Sequence, residues 1–132
     1  MLFRSGLAAA VDYLAETGME TVAAHEAAIG EALLAGIREV PGVRVLGPLE
    51  PSLRIGTVSF DVDGVHAHDV GQFLDSRGVA ARVGHHCAQP LHRRYGITAS
   101  TRVSSAIYTD EQDVQQFLAA LAEVRAFFGV AA

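Results

Sequence analysis

Apolar positions recur at helical spacing along the first forty residues. GLAAAVDYLAE, residues 6–16, predicts a helix that Thr17-Gly18 interrupt. From Met19 to about Val40 the residues Val22, Ile29, Leu33, Ile37 and Val40 recur at three, four or seven. They predict a second, longer helix, which Pro41-Gly42 ends. The period then changes. VRVL (43–46) reads as a short strand and GPLEPS (47–52) as a turn-rich connector. LRIGTVSFDV (53–62) alternates Ile55, Thr57 and Ser59 against Gly56, Val58 and Phe60, predicting a strand with one face more buried than the other. Asp63-Gly64 is a turn. HAHDVGQFLDSRG (66–78) predicts a helix with Val70, Phe73 and Leu74 inward and Gly78 as its stop. VAARV (79–83) predicts a strand, LHRRYG (91–96) a short helix with Pro90 in its first turn, and STRVSSAIY (100–108) a strand. Thr109 opens a T-D-E-Q capping box with Gln112. Behind it, Val114, Phe117, Leu118, Leu121, Val124 and Phe128 form a helical stripe that Gly129 stops.

Strands and helices are mixed, and no strand is followed by a glycine-rich phosphate loop. The expected class is α+β: a small, mainly antiparallel sheet of three to four strands with helices covering one face. The 132 residues suit one domain. Half of them are hydrophobic and the net charge is −5, with no basic cluster beyond Arg93-Arg94. Nucleic-acid binding through phosphate neutralisation is therefore not expected. No apolar run reaches the ~18 residues of a membrane span. The lone cysteine cannot form an internal disulfide, which fits a reducing compartment, and the start lacks a secretory cleavage pattern. A cytoplasmic protein is expected. All ten basic side chains are arginines, so the chain contains no lysine and no side-chain amine for covalent chemistry.

That cysteine, Cys87, lies in RVGHHCAQP (82–90). As a residue type it is commonly a small buried hydrophobe. Here Gly84 permits unusual backbone angles and Pro90 restricts Gln89, so the loop is expected to present the thiol. Arg82, His85 and His86 are candidates to lower its pKa from ~8.5 toward the reactive thiolate. A zinc site built from His66, His68, His86 and Cys87 has the right atoms but not the ligand spacing of structural sites, and no metal is expected. A Cys–His hydrolase would need adjacent residues to face one another as nucleophile and base. Arg102, among the small residues Thr101, Ser104, Ser105 and Ala106, is either a surface-paired strand residue or a planar fork for a carboxylate. His66 and His68 read as a helix cap and a surface residue.

RVGHHCAQPL, with the arginine of TRVS fifteen residues after the cysteine, resembles the C-terminal part of cysteine desulfurases. The likeness is to the SUF-pathway type and the selenocysteine lyase-like enzymes of the class V aminotransferase fold. HAHDVGQFLDSRGVAAR matches the same family's approach to the cysteine, and the resemblance runs from about Gly6 to Gly129. It implies an unmatched start (1–5), a desulfurase small domain (6–129) and a tail (130–132). It also implies Cys87 as nucleophile and persulfide carrier, Arg102 on the substrate carboxylate, and Arg82 and His86 as neighbours. The implied reaction takes sulfur from free cysteine (or selenium from selenocysteine) on pyridoxal phosphate (PLP). It gives alanine and passes the persulfide to an acceptor protein for iron–sulfur cluster assembly, in a homodimer. In that family PLP sits on a lysine of a large N-terminal domain. With no lysine, this chain is expected neither to bind PLP nor to turn over alone, and to be part of a larger enzyme. The alternatives are a free-standing persulfide carrier and a non-catalytic interaction domain.

Overall fold

A computed structural model of the chain describes residues 2–130. Residue 1 of the expected unmatched start and residues 131–132 of the expected tail lie outside them. Helix α1 (Leu2–Thr17) breaks at Gly18, whose φ of +88° no side chain adopts easily, and α2 (Met19–Glu39) follows. Strands β1 (Val43–Leu46), β2 (Thr57–Val62), β3 (Arg82–Gly84) and β4 (Ser100–Ser104) form one antiparallel sheet in the order β1-β2-β4-β3. Helix α3 (Ala67–Ser76) precedes β3, the short α4 (Gln89–Tyr95) precedes β4, and α5 (Glu111–Phe127) ends the fold. The expected α+β class with helices over one face is the observed one. Strand β4 is inserted between β2 and β3, which brings the loop after β3 beside the middle of the sheet.

Alternation along β2 decides which face is covered. Val58, Phe60 and Val62 are buried against α2, α3 and α5, while Thr57, Ser59 and Asp61 point to the other face. Ile29, Leu33 and Ile37 of α2 and Val114, Phe117, Leu121 and Val124 of α5 meet them in one core. Phe60 and Phe117 pack with ring centroids 6.0 Å apart. Because register fixes face, Leu46, Ser59, Arg102 and Arg82 form one row across the uncovered side.

Four expected boundaries are corrected. The strand expected over 53–62 begins only at Thr57, because Pro51–Leu53 form a 3-10 turn and carbonyls of Leu46 and Pro48 hold the Arg54 guanidinium. The strand expected over 79–83 is Arg82–Gly84, since the Val79 N–H instead closes the end of α3 on the Leu74 carbonyl at 2.9 Å, with Gly78 left-handed between them. The strand expected to reach residue 108 ends at Ser104; the chain then turns, with Thr109 N–H on the Ala106 carbonyl. The cap of α5 is Asp110 in place of Thr109. Its carboxylate accepts from the N–H groups of Gln112 (2.8 Å) and Asp113 (3.0 Å), and Asp113 accepts from Asp110 N–H. A carboxylate there also favours the positive end of the helix, and Thr109 is left to accept from Ala106 N–H. Pro90 sits in the first turn of α4 as expected.

Candidate functional site

The loop between β3 and α4 carries Cys87. Gly84 has φ +122°, and His86 (+50°) and Cys87 (+58°) are the two residues other than glycine with positive φ among those described. The Ala88 N–H donates to the His85 carbonyl at 2.7 Å across them, closing a tight turn with two left-handed central residues, as in a type I′ turn. For side-chain-bearing residues that shape costs about 1–2 kcal/mol each. The surrounding bonds must hold it in place. The result is an exposed thiol.

His86 turns the other way, into the protein. Its Nε2–H donates to the Ser100 carbonyl at 3.2 Å, which leaves Nδ1 bare. Burial holds this imidazole below the ordinary histidine value of 6.5, and the Arg102 charge adds to that, against the opposing effect of the Ser100 bond. The folded state therefore resists a proton that the unfolded chain accepts. Stability is unaffected by His86 above the unfolded value and falls as the pH drops below it. Thermal melts between about pH 7.5 and pH 5.5 should show a loss of stability that is smaller in His86→Asn, which tolerates the left-handed backbone and does not titrate. Equal losses in both proteins would remove His86 as a source.

Arg102 stands on β4 between Ser59 and Arg82, on the uncovered face. It lines a cleft of about 320 Å³ together with His86, His92, Tyr95 and Arg54. No Asp or Glu lines that cleft. Arg102 Nε is buried and has no hydrogen-bond partner, and the ion pairs Arg44–Asp61 and Arg77–Glu123 lie elsewhere. An arginine fork in an acid-free cleft is suited to a small carboxylate. Arg54 is a different case. Carbonyls of Leu46, Pro48 and Thr57 take its donors, so it ties down the connector that walls the cleft, and burial lowers its pKa.

The structure thus brings Arg102 and His86 together. Cys87 lies on the outer side of the same turn and does not line the cleft, and Arg82 is exposed beside Arg102. His66 and His68 are at the start of α3, where His66 Nδ1 accepts from the His68 N–H and caps the helix. Among the described residues no three His, Cys, Asp or Glu side chains converge on a point that would hold a metal ion. Sequence reasoning missed His92, Ser100, Tyr95 and Arg54. Position 92 carried one signal: it is four residues after Ala88 on a helix opened by Pro90, so it returns to the face of the turn.

A protein-family model, Aminotransferase class-V, matches residues 4–117. The chain belongs to the class-V aminotransferase family. Among its relatives, a probable cysteine desulfurase 2 of Mycobacterium leprae is 49% identical over 124 residues, which cover 94% of this chain and 30% of the relative. The apo cysteine desulfurase of Thermococcus onnurineus superposes with a TM-score of 0.86 at 34% identity, over 90% of this chain and 30% of that one. A cystine C–S lyase in complex with its product cysteine persulfide gives 0.71 at 28% identity, over 89% and 28%. The chain therefore spans about 30% of the length of its class-V relatives. No helix among the described residues is long and apolar enough to cross a membrane.

Class-V cysteine desulfurases are PLP enzymes by the resemblance drawn from the sequence, and the residues of this chain do not fit that cofactor. It has no lysine for the imine. The Arg102 cleft also holds no carboxylate to meet the pyridine nitrogen.

Proposed function

We propose that this chain is the C-terminal small domain of a cysteine desulfurase of the SUF type, with residues 6–129 as the domain. The observation that carries the reading is Arg102, whose buried Nε has no partner, in an acid-free cleft two residues along β4 from Ser100, which anchors the stiff turn of an exposed cysteine. Arg102 holds the carboxylate of free cysteine (or selenocysteine). Cys87 takes its sulfur as a persulfide, and alanine leaves. His86, kept neutral, and Arg82 are the neighbours that set the charge around the thiol. PLP and its lysine belong to a large domain outside these residues. The turn's outer side, where the thiol is exposed, is where a sulfur-acceptor protein takes the sulfur for iron–sulfur cluster assembly. A cytoplasmic homodimer is the form proposed for the complete enzyme.

A persulfide carrier loaded by a separate enzyme is the second reading, favoured by the exposure of Cys87. It leaves the Arg102 cleft without a purpose.

The test is a hybrid in which this chain follows the portion of the Mycobacterium leprae relative that it does not match, supplied with PLP and cysteine. The peptide containing Cys87 should gain the mass of one sulfur atom and alanine should appear, while Cys87→Ser should gain nothing. Cofactor-loaded hybrid that leaves Cys87 unmodified would overturn the reading.

A further inference from the structure

His92 is almost fully buried, at 6% exposed, and the reaction proposed above has no use for it. Both of its ring nitrogens are occupied. Nδ1 is 3.0 Å from the Ala88 carbonyl, which can only accept, so Nδ1 carries the proton and donates. Nε2, 2.9 Å from Ser100 Oγ, then takes the hydroxyl proton of a serine with no exposed surface. A buried histidine with both nitrogens satisfied is often only a core residue. What distinguishes this one is what it joins. Ala88 directly follows Cys87, and its carbonyl also accepts from the N–H groups of Leu91 and His92. Ser100 lies two residues before Arg102 on the same strand, pairs with Gly84 at the start of the turn, and offers its carbonyl to His86. Every side-chain bond found across the turn ends on Ser100 or on the carbonyl beside Cys87.

We propose that His92 and Ser100 are positioning residues, which lock the left-handed Cys87 turn onto β4 and so fix the thiol relative to Arg102. The inference rests on the reading that Cys87 and Arg102 serve the same substrate molecule. Two strained residues do not hold their shape unaided. Upstream, the lock is the β3–β4 ladder and His86. Downstream it is the His92 imidazole, which alone among the described residues spans from the carbonyl after the thiol to the strand that carries the arginine. The rings of His85 and His86, with centroids 6.3 and 6.1 Å from that of His92, close the sides of the imidazole. Without the imidazole the fully buried Ser100 Oγ is left unpaired and the Ala88 carbonyl keeps only its backbone donors, which favours opening of the turn.

Amide hydrogen exchange on the chain itself reads the lock without any chemistry at the thiol. His92→Leu keeps much of the volume and removes both bonds. It should speed exchange at the Ala88 amide, which closes the turn on the His85 carbonyl, by about tenfold or more, with Phe60 and Leu121 amides unchanged. Ser100→Ala, a smaller change, should act at the same amide. His92→Asn, whose side-chain N–H can still reach the Ala88 carbonyl, should recover part of the protection. Equal acceleration throughout the core would make His92 a packing residue only, and no acceleration in the turn would remove the lock; either overturns the proposal. In the hybrid enzyme the same variants should lower kcat about tenfold and change KM for cysteine less than twofold, because Arg102 stays in place. A rise in KM with kcat unchanged would also overturn it. If the unaltered hybrid puts no sulfur on Cys87, the desulfurase reading fails, and the exchange data still decide the lock.

Discussion

Arg102→Met should cost the hybrid enzyme about a hundredfold or more in kcat/KM for cysteine, because removing one partner of a desolvated charge pair costs about 2–5 kcal/mol. The same substitution should leave the chain as stable as before, or about 1 kcal/mol more stable, since it deletes a buried donor with no partner. Methionine matches the arginine stem in length and packs against the same neighbours. Function and stability then move apart, which is the behaviour of a group held for a ligand. Arg102→Lys keeps the charge without the planar fork, and should recover only a minor part of the activity. Urea titration of the chain and steady-state kinetics of the hybrid check both halves. A loss of stability that parallels the loss of rate would make Arg102 a structural residue.

The largest effect on the fold is expected at Phe60. It is fully buried at the centre of β2 and packs against Phe117 of α5. Phe60→Ala removes most of the side chain from a site walled by the sheet and three helices, where collapse is limited. The expected cost is about 3–5 kcal/mol, a large part of the ~5–15 kcal/mol that holds a typical domain folded. The urea midpoint should fall with little change in slope. A cost under about 1.5 kcal/mol would mean that α5 closes onto the sheet and refills the space. Phe127, 66% exposed at the end of the same helix, is the control, and Phe127→Ala should cost far less.

Periodicity was the strongest guide to the helices because each has a stripe that meets the core. Val22, Ile29, Leu33 and Ile37 predicted α2, and Val114, Phe117, Leu121 and Val124 predicted α5. Strand limits were less legible, because they depend on bonds that no local pattern carries. Leu53 and Ile55 look like strand residues, yet they are 69% and 73% exposed in a connector that Arg54 ties to distant carbonyls. Val79 has strand propensity and is used to finish a helix. The site divided in the same way. The cysteine loop and Arg102 could be singled out by residue type and spacing. Ser100 and Tyr95 gave no such sign, since a serine among serines and a tyrosine in an arginine-rich helix acquire their roles only when β4 is inserted beside β2. That insertion is long-range pairing, invisible in a window of ten residues.

The left-handed backbone at Cys87 has a consequence for which sequences this position can hold. Valine and threonine match cysteine in bulk, but their branched Cβ is a poor fit to a positive φ. Glycine and asparagine fit that backbone readily, and unbranched serine and alanine fit it better than valine or threonine, though none of the four carries sulfur. Mutation here is sieved twice, by shape and then by chemistry, and the two sieves favour different residues. The thiol is easy to lose to a residue that relaxes the turn. A glycine, asparagine, serine or alanine variant leaves the turn no more strained than before, so the backbone itself does not oppose that exchange.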